Sequence, residues 1–143
     1  MDALEIVEWR SFDDESTFFA AMGRFFASPM VRRECGGYPL NDGPFYRWFI
    51  LRSRHDRRVL GFISVERQEK VLHLRQGYVR AEVRGIGLFR ELLTQALAHA
   101  DSAGLDCSTR VQCASAPFLE KYGFVIKTTR GEWITMYRSN KNA

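Results

Sequence analysis

A chain of 143 residues, of which 45% are hydrophobic and 27% charged, has the length and balance of one globular domain, which argues against a long disordered region. The formal net charge of +4 fits an anionic small ligand as readily as a nucleic acid. The three cysteines, Cys35, Cys107 and Cys113, form an odd set without a C-x-x-C pair, so we expect no structural zinc. We also expect a reducing, cytoplasmic location. We expect no targeting segment at the acidic start and no membrane-spanning run.

The first third of the chain predicts one strand, two helices and a long loop. Partial alternation over Leu4–Trp9 indicates the strand, and Ser11 or Asp13 is the expected cap of the first helix. That helix has an aromatic face, whose helical spacing favours core packing over the lining of a pocket. The aromatic residues are Phe12, Phe18, Phe19, Phe25 and Phe26. The second helix is predicted over Met30–Glu34, opened by Ser28-Pro29 and closed by Gly36-Gly37, and the loop over Tyr38–Pro44.

Three antiparallel strands are predicted next, over Phe45–Arg52, Arg58–Arg67 and Val71–Val79. Alternation in the third strand places Leu72 and Leu74 on one face and Val71, His73 and Arg75 on the other. The turn between the first two strands is rich in arginine, which indicates a solvated edge or, alternatively, an anion site. These arginines are Arg52, Arg54, Arg57 and Arg58.

The segment Tyr78–Leu93 passes from the third strand through an arginine-glycine loop into an amphipathic helix, which Gly104 closes. A helix leaves its first N–H groups without intrahelical partners, and this one offers no Ser, Thr, Asp or Asn side chain to accept them. Those donors suit an anion, and nearby arginines add positive charge. The loop therefore predicts a phosphate cradle, flanked by Arg80, Arg84 and Arg90.

The last third predicts a strand, a short helix and a hairpin. The strand covers Asp106–Gln112, and the helix runs from Ser115 and Pro117 through Tyr122 to a Gly123 terminator. The hairpin strands are Val125–Thr129 and Trp133–Arg138, and the tail over residues 139–143 is expected to fray. We therefore expect a single domain over residues 1–138.

This order of elements, with two motifs in register, resembles the GNAT superfamily of acyl-CoA-dependent N-acetyltransferases over nearly the whole chain. The acetyl-CoA loop of that family, Q/R-x-x-G-x-G/A, is represented by Arg84-Gly85-Ile86-Gly87-Leu88-Phe89, and its E-K-x-G-F helix end by Glu120-Lys121-Tyr122-Gly123-Phe124. The resemblance implies an α/β fold: a mixed, mostly antiparallel seven-stranded sheet, two parallel strands splayed around CoA, and about four helices.

The resemblance also implies where the donor binds. Pantetheine pairs with a strand in a wedge between Val71–Val79 and Asp106–Gln112, meeting the main chain of Tyr78 and Val79. Pyrophosphate falls on the amides of the loop. Phe89 stands where Gly or Ala is usual, and its place on the apolar stripe of the helix predicts that the ring turns into the core. The loop residues are Arg84, Gly85, Ile86, Gly87, Leu88 and Phe89.

The general acid of the family, a tyrosine four residues before the motif glycine, is replaced here by Leu119. Tyr122, one turn later, is the alternative donor to the CoA thiolate, ahead of Ser115, which suits a cap, and of water. His73 is the first candidate for the base that takes the amine proton, since its pKa suits that role. The alternative for His73 is a packed or surface residue on the strand face. Glu66, on the adjacent strand, and Glu82, in the donor loop, compete with it, and the alternative role of Glu82 is to balance the arginines of the loop.

The function implied is transfer of an acetyl group from acetyl-CoA, with no metal, to a primary amine by direct attack. The alternatives are a CoA-binding module that has lost catalysis and, less favoured, a basic nucleic-acid-binding protein. The acceptor, a small-molecule or protein amine, is not identified; its ammonium group can meet Asp42, Asp13 or Glu34. The last strand pair is a frequent dimer surface in the family, so a homodimer is possible, and no membrane partner is expected.

Overall fold

The computed structural model describes residues 3–37 and 39–140, and this part of the chain holds seven strands and four helices in the predicted order. No helix in these ranges is long and apolar enough to cross a bilayer. The strands are β1 (Leu4–Trp9), β2 (Tyr46–Ser53), β3 (Val59–Gln68), β4 (Val71–Val79), β5 (Asp106–Gln112), β6 (Val125–Arg130) and β7 (Trp133–Arg138). The helices are α1 (Glu15–Phe26), α2 (Pro29–Glu34), α3 (Leu88–Ser102) and α4 (Ala116–Glu120).

The strands form one mixed sheet in the order β1-β2-β3-β4-β5-β7-β6. β1 runs antiparallel to β2, and β7 runs antiparallel to both of its neighbours. β4 and β5 are parallel, and their paired residues run from Val71 opposite Asp106 to Leu74 opposite Thr109. The predicted mixed seven-stranded sheet with one parallel pair and four helices is therefore confirmed.

The cap of α1 is Asp14, so the prediction of Ser11 or Asp13 was wrong. The Asp14 carboxylate accepts bonds from the Thr17 amide at 3.1 Å and the Thr17 hydroxyl at 2.7 Å. Ser11 and Asp13 lie in a preceding 3-10 turn, where Asp13 pairs with Arg10. A cap is chosen by the residue at which the backbone enters the helix, and the extra turn moved that point along the chain.

Two compact units can be distinguished. The first comprises the chain up to Val65 together with Gln76–Ala96, and the second comprises Glu66–Arg75 together with the chain from Leu97 onward. Aromatic rings fill the core of the first unit, where Phe25 and Phe62 lie 5.4 Å apart. Other members of this core are Phe18, Trp48 and Tyr78.

Two aromatic residues expected in the core are exposed. Phe12 is 59% exposed and Phe19 is 44% exposed, whereas Phe18 and Phe25 are buried. Phe12 falls in the 3-10 turn before α1, so helical spacing does not apply to it. Phe19 stays at the edge of the cluster, with its ring 4.9 Å from that of Phe18.

The second unit is held by a nearly buried arginine. The Arg138 side chain is 5% exposed and donates to both carboxylate oxygens of Asp101 at 3.0 and 2.9 Å. Its Nε also donates to the carbonyl of Tyr122 at 2.9 Å. At the predicted frayed tail, Asn140 donates two bonds to Asp106, and residues 141–143 lie outside the described residues.

The last helix is shorter than predicted, because α4 ends at Glu120 and a turn continues over residues 121–123. Gly123 has a φ of 94°, as expected of a helix terminator. The Phe124 amide donates to the Leu119 carbonyl at 3.3 Å, and the Phe124 ring is 1% exposed. The predicted glycine stop and the apolar contact beyond it are both present.

Candidate functional site

The loop between β4 and α3 leaves a run of backbone donors open. Its 3-10 turn over Ala81–Val83 ends where the Arg84 amide donates to the Ala81 carbonyl at 3.3 Å. The helix ladder resumes where the Glu91 amide donates to the Gly87 carbonyl at 3.1 Å. Between these bonds, no acceptor within residues 3–37 and 39–140 is found for the amides of residues 85–88. This loop is therefore suited to bind an anion through its main chain.

Gly85 and Gly87 give the loop its shape. Their φ angles are 84° and 85°, a region that residues with a Cβ rarely adopt. No atom lies within 4 Å of the point where a Cβ would sit on either residue. Glycine is thus needed here for the backbone angle, and the space beside it is left open.

Arg84 braces the loop from within. Its Nε donates to the Val79 carbonyl at 2.7 Å, and its Nη2 donates to Glu34 at 2.7 Å. The guanidinium also lies 5.5 Å from the centre of the Tyr78 ring. The bond to Glu34 is the main reason why the pKa of Arg84 is raised above its usual value. These contacts restrain the Arg84 side chain beside the open amides of the loop.

Tyr78 and Val79, at the end of β4, are available mainly through their main chain. The Tyr78 side chain is 6% exposed, and its ring packs 5.8 Å from that of Phe62. The Val79 carbonyl already accepts a bond from Arg84. Any ligand atom that meets this carbonyl therefore shares it with the guanidinium.

Phe89 packs over a glycine of β4. A Cβ built on Gly77 would lie 3.0 Å from the tip of the Phe89 ring, so the missing side chain makes room for the ring. The ring lies over the strand but stays 36% exposed, so the prediction that it turns into the core was wrong. Sequence inspection missed this partner because the two residues lie on different elements.

A second group of polar side chains surrounds a cavity of about 300 Å³ in the second unit, where β4, β5 and β7 lie side by side. His73 lies opposite Ser108 in the parallel pair, and Thr135 pairs with Arg110 across β5 and β7. Arg75 completes the polar lining. The register of three strands, which spacing alone does not reveal, brings these residues together.

The His73 imidazole is half-buried in this cavity lining. Desolvation is the main cause that lowers the pKa of His73, and the positive charge of Arg75 lowers it further against an opposing effect of Glu66. The imidazole is therefore neutral at pH 7, the form that accepts a proton.

The acidic residues considered from sequence as bases or amine ligands are all engaged within the protein. Arg75 donates to one oxygen of Glu66 at 3.0 and 2.7 Å. Asp42 accepts a bond from Trp48 at 3.0 Å and another from the Ser11 hydroxyl. The remaining pairs are Asp13 with Arg10, Glu34 with Arg84 and Glu82 with Arg58.

The α4 region contains the residues considered as proton donors. Leu119 is 7% exposed and packs in the core. The Tyr122 ring is partly exposed and lies 5.3 Å from that of Phe118. Ser115 stands at the cap position of α4 but accepts no capping bond, so its expected role as a cap is wrong. The helix enters through a 3-10 turn over Cys113–Ser115, which leaves the serine backbone helical.

The more buried thiols are poor nucleophiles. Burial is the main cause that raises the pKa of Cys35 to about 11, and burial likewise raises the pKa of Cys107 to about 11. Both are protonated near neutrality, and the thiolate is the reactive form. Neither Cys35 nor Cys107 is therefore suited to act as a nucleophile.

The family model described as "Acetyltransferase (GNAT) domain" matches residues 46–136, well over half of the chain. The chain therefore belongs to the GNAT acetyltransferase family and is an acyltransferase of that type. The matched segment runs from β2 through the glycine loop to β7. The family predicted from the two motifs is confirmed. A search of curated proteins found no match.

Solved structures agree with this fold at low sequence identity. An acyl-CoA N-acyltransferase from Pseudomonas aeruginosa is 18% identical with a TM-score of 0.74, covering 96% of this chain and 100% of its own. Escherichia coli ElaA is 13% identical with the same TM-score of 0.74 and the same coverage of 96% and 100%. The PaiA N-acetyltransferase of Thermoplasma acidophilum, solved with coenzyme A, is 15% identical with a TM-score of 0.60, covering 96% of this chain and 99% of its own.

Proposed function

We propose that this protein transfers an acetyl group from acetyl-CoA to a primary amine by direct attack within a ternary complex. The observation that carries the proposal is the run of open amides at residues 85–88, where α3 begins without a capping side chain. A pyrophosphate is the anion whose charge and length suit such a run. Family membership and the coenzyme A complex of a structural neighbour support the same donor.

In this proposal the donor contacts are mostly main-chain contacts. The amides of Gly85, Ile86 and Gly87 receive the pyrophosphate, and Arg84 keeps the loop in place through Val79 and Glu34. Leu88 and Phe89 contribute through the first turn of α3. Tyr78 and Val79 offer main-chain groups to pantetheine.

We assign proton removal to His73. The neutral imidazole takes a proton from the attacking amine. The amine nitrogen bonds to the acetyl carbon, and the bond between that carbon and the CoA sulfur breaks. The cavity of about 300 Å³ beside His73 is the proposed place of the amine. Glu66 is less suited, since Arg75 already donates two hydrogen bonds to one of its carboxylate oxygens.

Tyr122 is the proposed source of the proton that the CoA thiolate takes up. Its carbonyl is fixed by Arg138, and its ring rests against Phe118, so the position of the hydroxyl is restricted. Water is the alternative donor, because a thiolate is a good leaving group that needs little help.

The experiment that tests the proposal mixes the protein with acetyl-CoA, a panel of primary amines and a thiol-reactive dye. We expect release of free CoA that depends on both the protein and one class of amine. Release no faster than background hydrolysis for every amine would favour the alternative function, a CoA-binding module without catalysis. Burial of Leu119 at the position of the usual acid is the observation that keeps this alternative open.

A nucleic-acid-binding function is less supported. The charge of +4 is small, and many arginines are committed to carboxylates or carbonyls within the protein. We expect the melting temperature to rise with CoA and not with an oligonucleotide. The reverse result would favour nucleic acid as the ligand.

We also propose a reducing, cytoplasmic location for the protein and a homodimer as its assembly. The three cysteines, Cys35, Cys107 and Cys113, are free thiols, which fits a reducing compartment such as the cytoplasm. A homodimer through β6 and β7 is compatible with the exposure of β6, and sedimentation at several protein concentrations tests it.

A further inference from the structure

A basic cavity of about 310 Å³ lies in the first unit, among α1, the turn between β2 and β3, and the residue after β4. Its lining carries Arg24, Arg57, Arg58 and Arg80 together with one carboxylate, Asp56. Four guanidinium groups against one carboxylate leave a formal charge of +3. Apolar side chains, among them the ring of Phe25, complete the walls. His73 does not line this cavity, and of the three arginines predicted to flank the glycine loop only Arg80 does.

Few counter-ions balance this charge. The Asp56 carboxylate accepts a bond from the Arg58 amide at 3.0 Å, which is the main reason why the pKa of Asp56 is lowered and its charge kept. Glu82 pairs with Arg58 at 3.1 Å, but both side chains are 53% exposed, and such surface pairs are weak. For Arg24 and Arg57, no ion pair occurs within the described part of the chain.

The Arg80 side chain is held in place by contacts within the protein. Its Nε donates to the Val59 carbonyl at 2.8 Å, and its guanidinium lies 5.1 Å from the centre of the Phe25 ring. One N–H group is used in this way, and the planar fork has others to offer a ligand. Arg57 has a φ of 61°, a left-handed conformation that is uncommon outside glycine, and it adds a second cation to the same lining.

We propose that this cavity binds a phosphomonoester group. Guanidinium forks match the geometry of phosphate oxygens, and a group carrying nearly two negative charges balances several cations better than a single carboxylate does. The group has two possible sources. One is the 3′-phosphate of CoA, an assignment that rests on the proposed function because Arg80 begins the loop assigned to the donor. The other is a separate phosphorylated small molecule.

Isothermal titration calorimetry on the full chain tests the proposal with CoA, dephospho-CoA and inorganic phosphate as probes. The test protein is the double variant Arg24→Ala, Arg57→Gly. Alanine keeps the helix, and glycine suits the left-handed angle at residue 57, so we expect this variant to fold. Arg54→Ala is the matched control, since Arg54 is an exposed arginine of the same turn that does not line the cavity.

The double variant should lose roughly tenfold or more in affinity for the phosphomonoester probe, while Arg54→Ala binds as the wild type does. Wild-type preference for CoA over dephospho-CoA, lost in the double variant, identifies the 3′-phosphate. A separate ligand is identified if the wild type binds CoA and dephospho-CoA equally and also binds inorganic phosphate in the presence of saturating dephospho-CoA. The double variant should then lose the binding of inorganic phosphate.

Two results would overturn the proposal. In one, the wild type neither prefers CoA to dephospho-CoA nor binds inorganic phosphate in the presence of saturating dephospho-CoA. In the other, the double variant binds every probe as the wild type does. Dephospho-CoA separates this failure from failure of the proposed function. It carries the pyrophosphate but not the 3′-phosphate. If the wild type did not bind dephospho-CoA, the assignment of the glycine loop to the donor would be wrong, whereas the proposal for the basic cavity would not be affected.

Discussion

His73 is the residue on which the proposed chemistry depends most. It lies in a cavity lining with two arginines, and desolvation holds its pKa below the usual value. A base must be neutral to act, so activity that depends on His73 rises with pH through this lowered pKa. The acid limb of kcat/KM should therefore lie below about pH 6.5, the ordinary histidine value.

His73→Gln should lower kcat by about 100-fold and remove that limb from the pH profile. The measurement is the pH dependence of kcat/KM for CoA release. Glu82→Gln is the matched control, because Glu82 forms only an exposed pair with Arg58, and it should leave the profile unchanged. An unaltered profile in the histidine variant would assign the base elsewhere.

The contact between Gly77 and Phe89 supplies a second test at this scale. Gly77→Ala places a methyl group about 3.0 Å from the ring, which should destabilise the fold by about 1–3 kcal/mol and raise the KM for acetyl-CoA as α3 shifts. Thermal unfolding and steady-state kinetics measure the two effects.

A second substitution, Phe89→Leu, should restore the stability that Gly77→Ala loses. Gly23→Ala in α1 is the control, since no atom lies within 4 Å of its built Cβ and alanine favours a helix. If Gly77→Ala were as harmless as Gly23→Ala, the ring would not be seated on the strand as described.

At the scale of elements, the glycine loop and the β6–β7 turn offer a matched comparison. Gly87 and Gly131 both have positive φ, 85° and 63°, and neither has an atom within 4 Å of a built Cβ. Alanine at either position should cost similar strain, on the order of 1–2 kcal/mol.

Only Gly87→Ala should raise the KM for acetyl-CoA, by about tenfold, because it tilts amides that we assign to pyrophosphate. Gly131→Ala should leave this KM unchanged. Equal effects of the two substitutions would mean that the loop acts through stability alone.

The Arg138–Asp101 pair should hold β7 against α3 in the second unit. Asp101→Asn leaves a nearly buried guanidinium without its anion and should lower the free energy of unfolding by roughly 3 kcal/mol. Asp13→Asn, in the exposed pair with Arg10, should cost less than about 1 kcal/mol. Urea denaturation compares them, and equal losses would contradict the role given to Arg138.

Elements were predictable where local patterns determine them. The apolar stripe of α3, the Ser28-Pro29 start of α2 and the glycine stops at residues 104 and 123 all follow from neighbouring residues. The cap of α1 was not predictable from local pattern, because Ser11, Asp13 and Asp14 are chemically similar caps and the 3-10 turn selects among them. The same turn placed Phe12 in water rather than in the core.

At the scale of the whole molecule, two motifs in register were enough to predict the family and the mixed sheet. The motifs do not reveal pairings between distant segments. Glu34 with Arg84, Asp42 with Trp48, and Ser108 beside His73 each join residues from separate elements. These pairings engage two of the acidic candidates for amine binding within the protein and place polar side chains beside His73, and neither could be deduced from spacing along the sequence.

The central claim, acetyl transfer to an amine by direct attack, is tested most directly by following an isotopically labelled acetyl group. The protein is incubated with labelled acetyl-CoA and an amine that supports CoA release, and the products are separated by mass spectrometry. We predict that the label appears in the amide of the amine in equal amount to free CoA, with none on the protein. Label recovered only in acetate, only in acetyl-CoA, or on a cysteine of the protein would contradict the account.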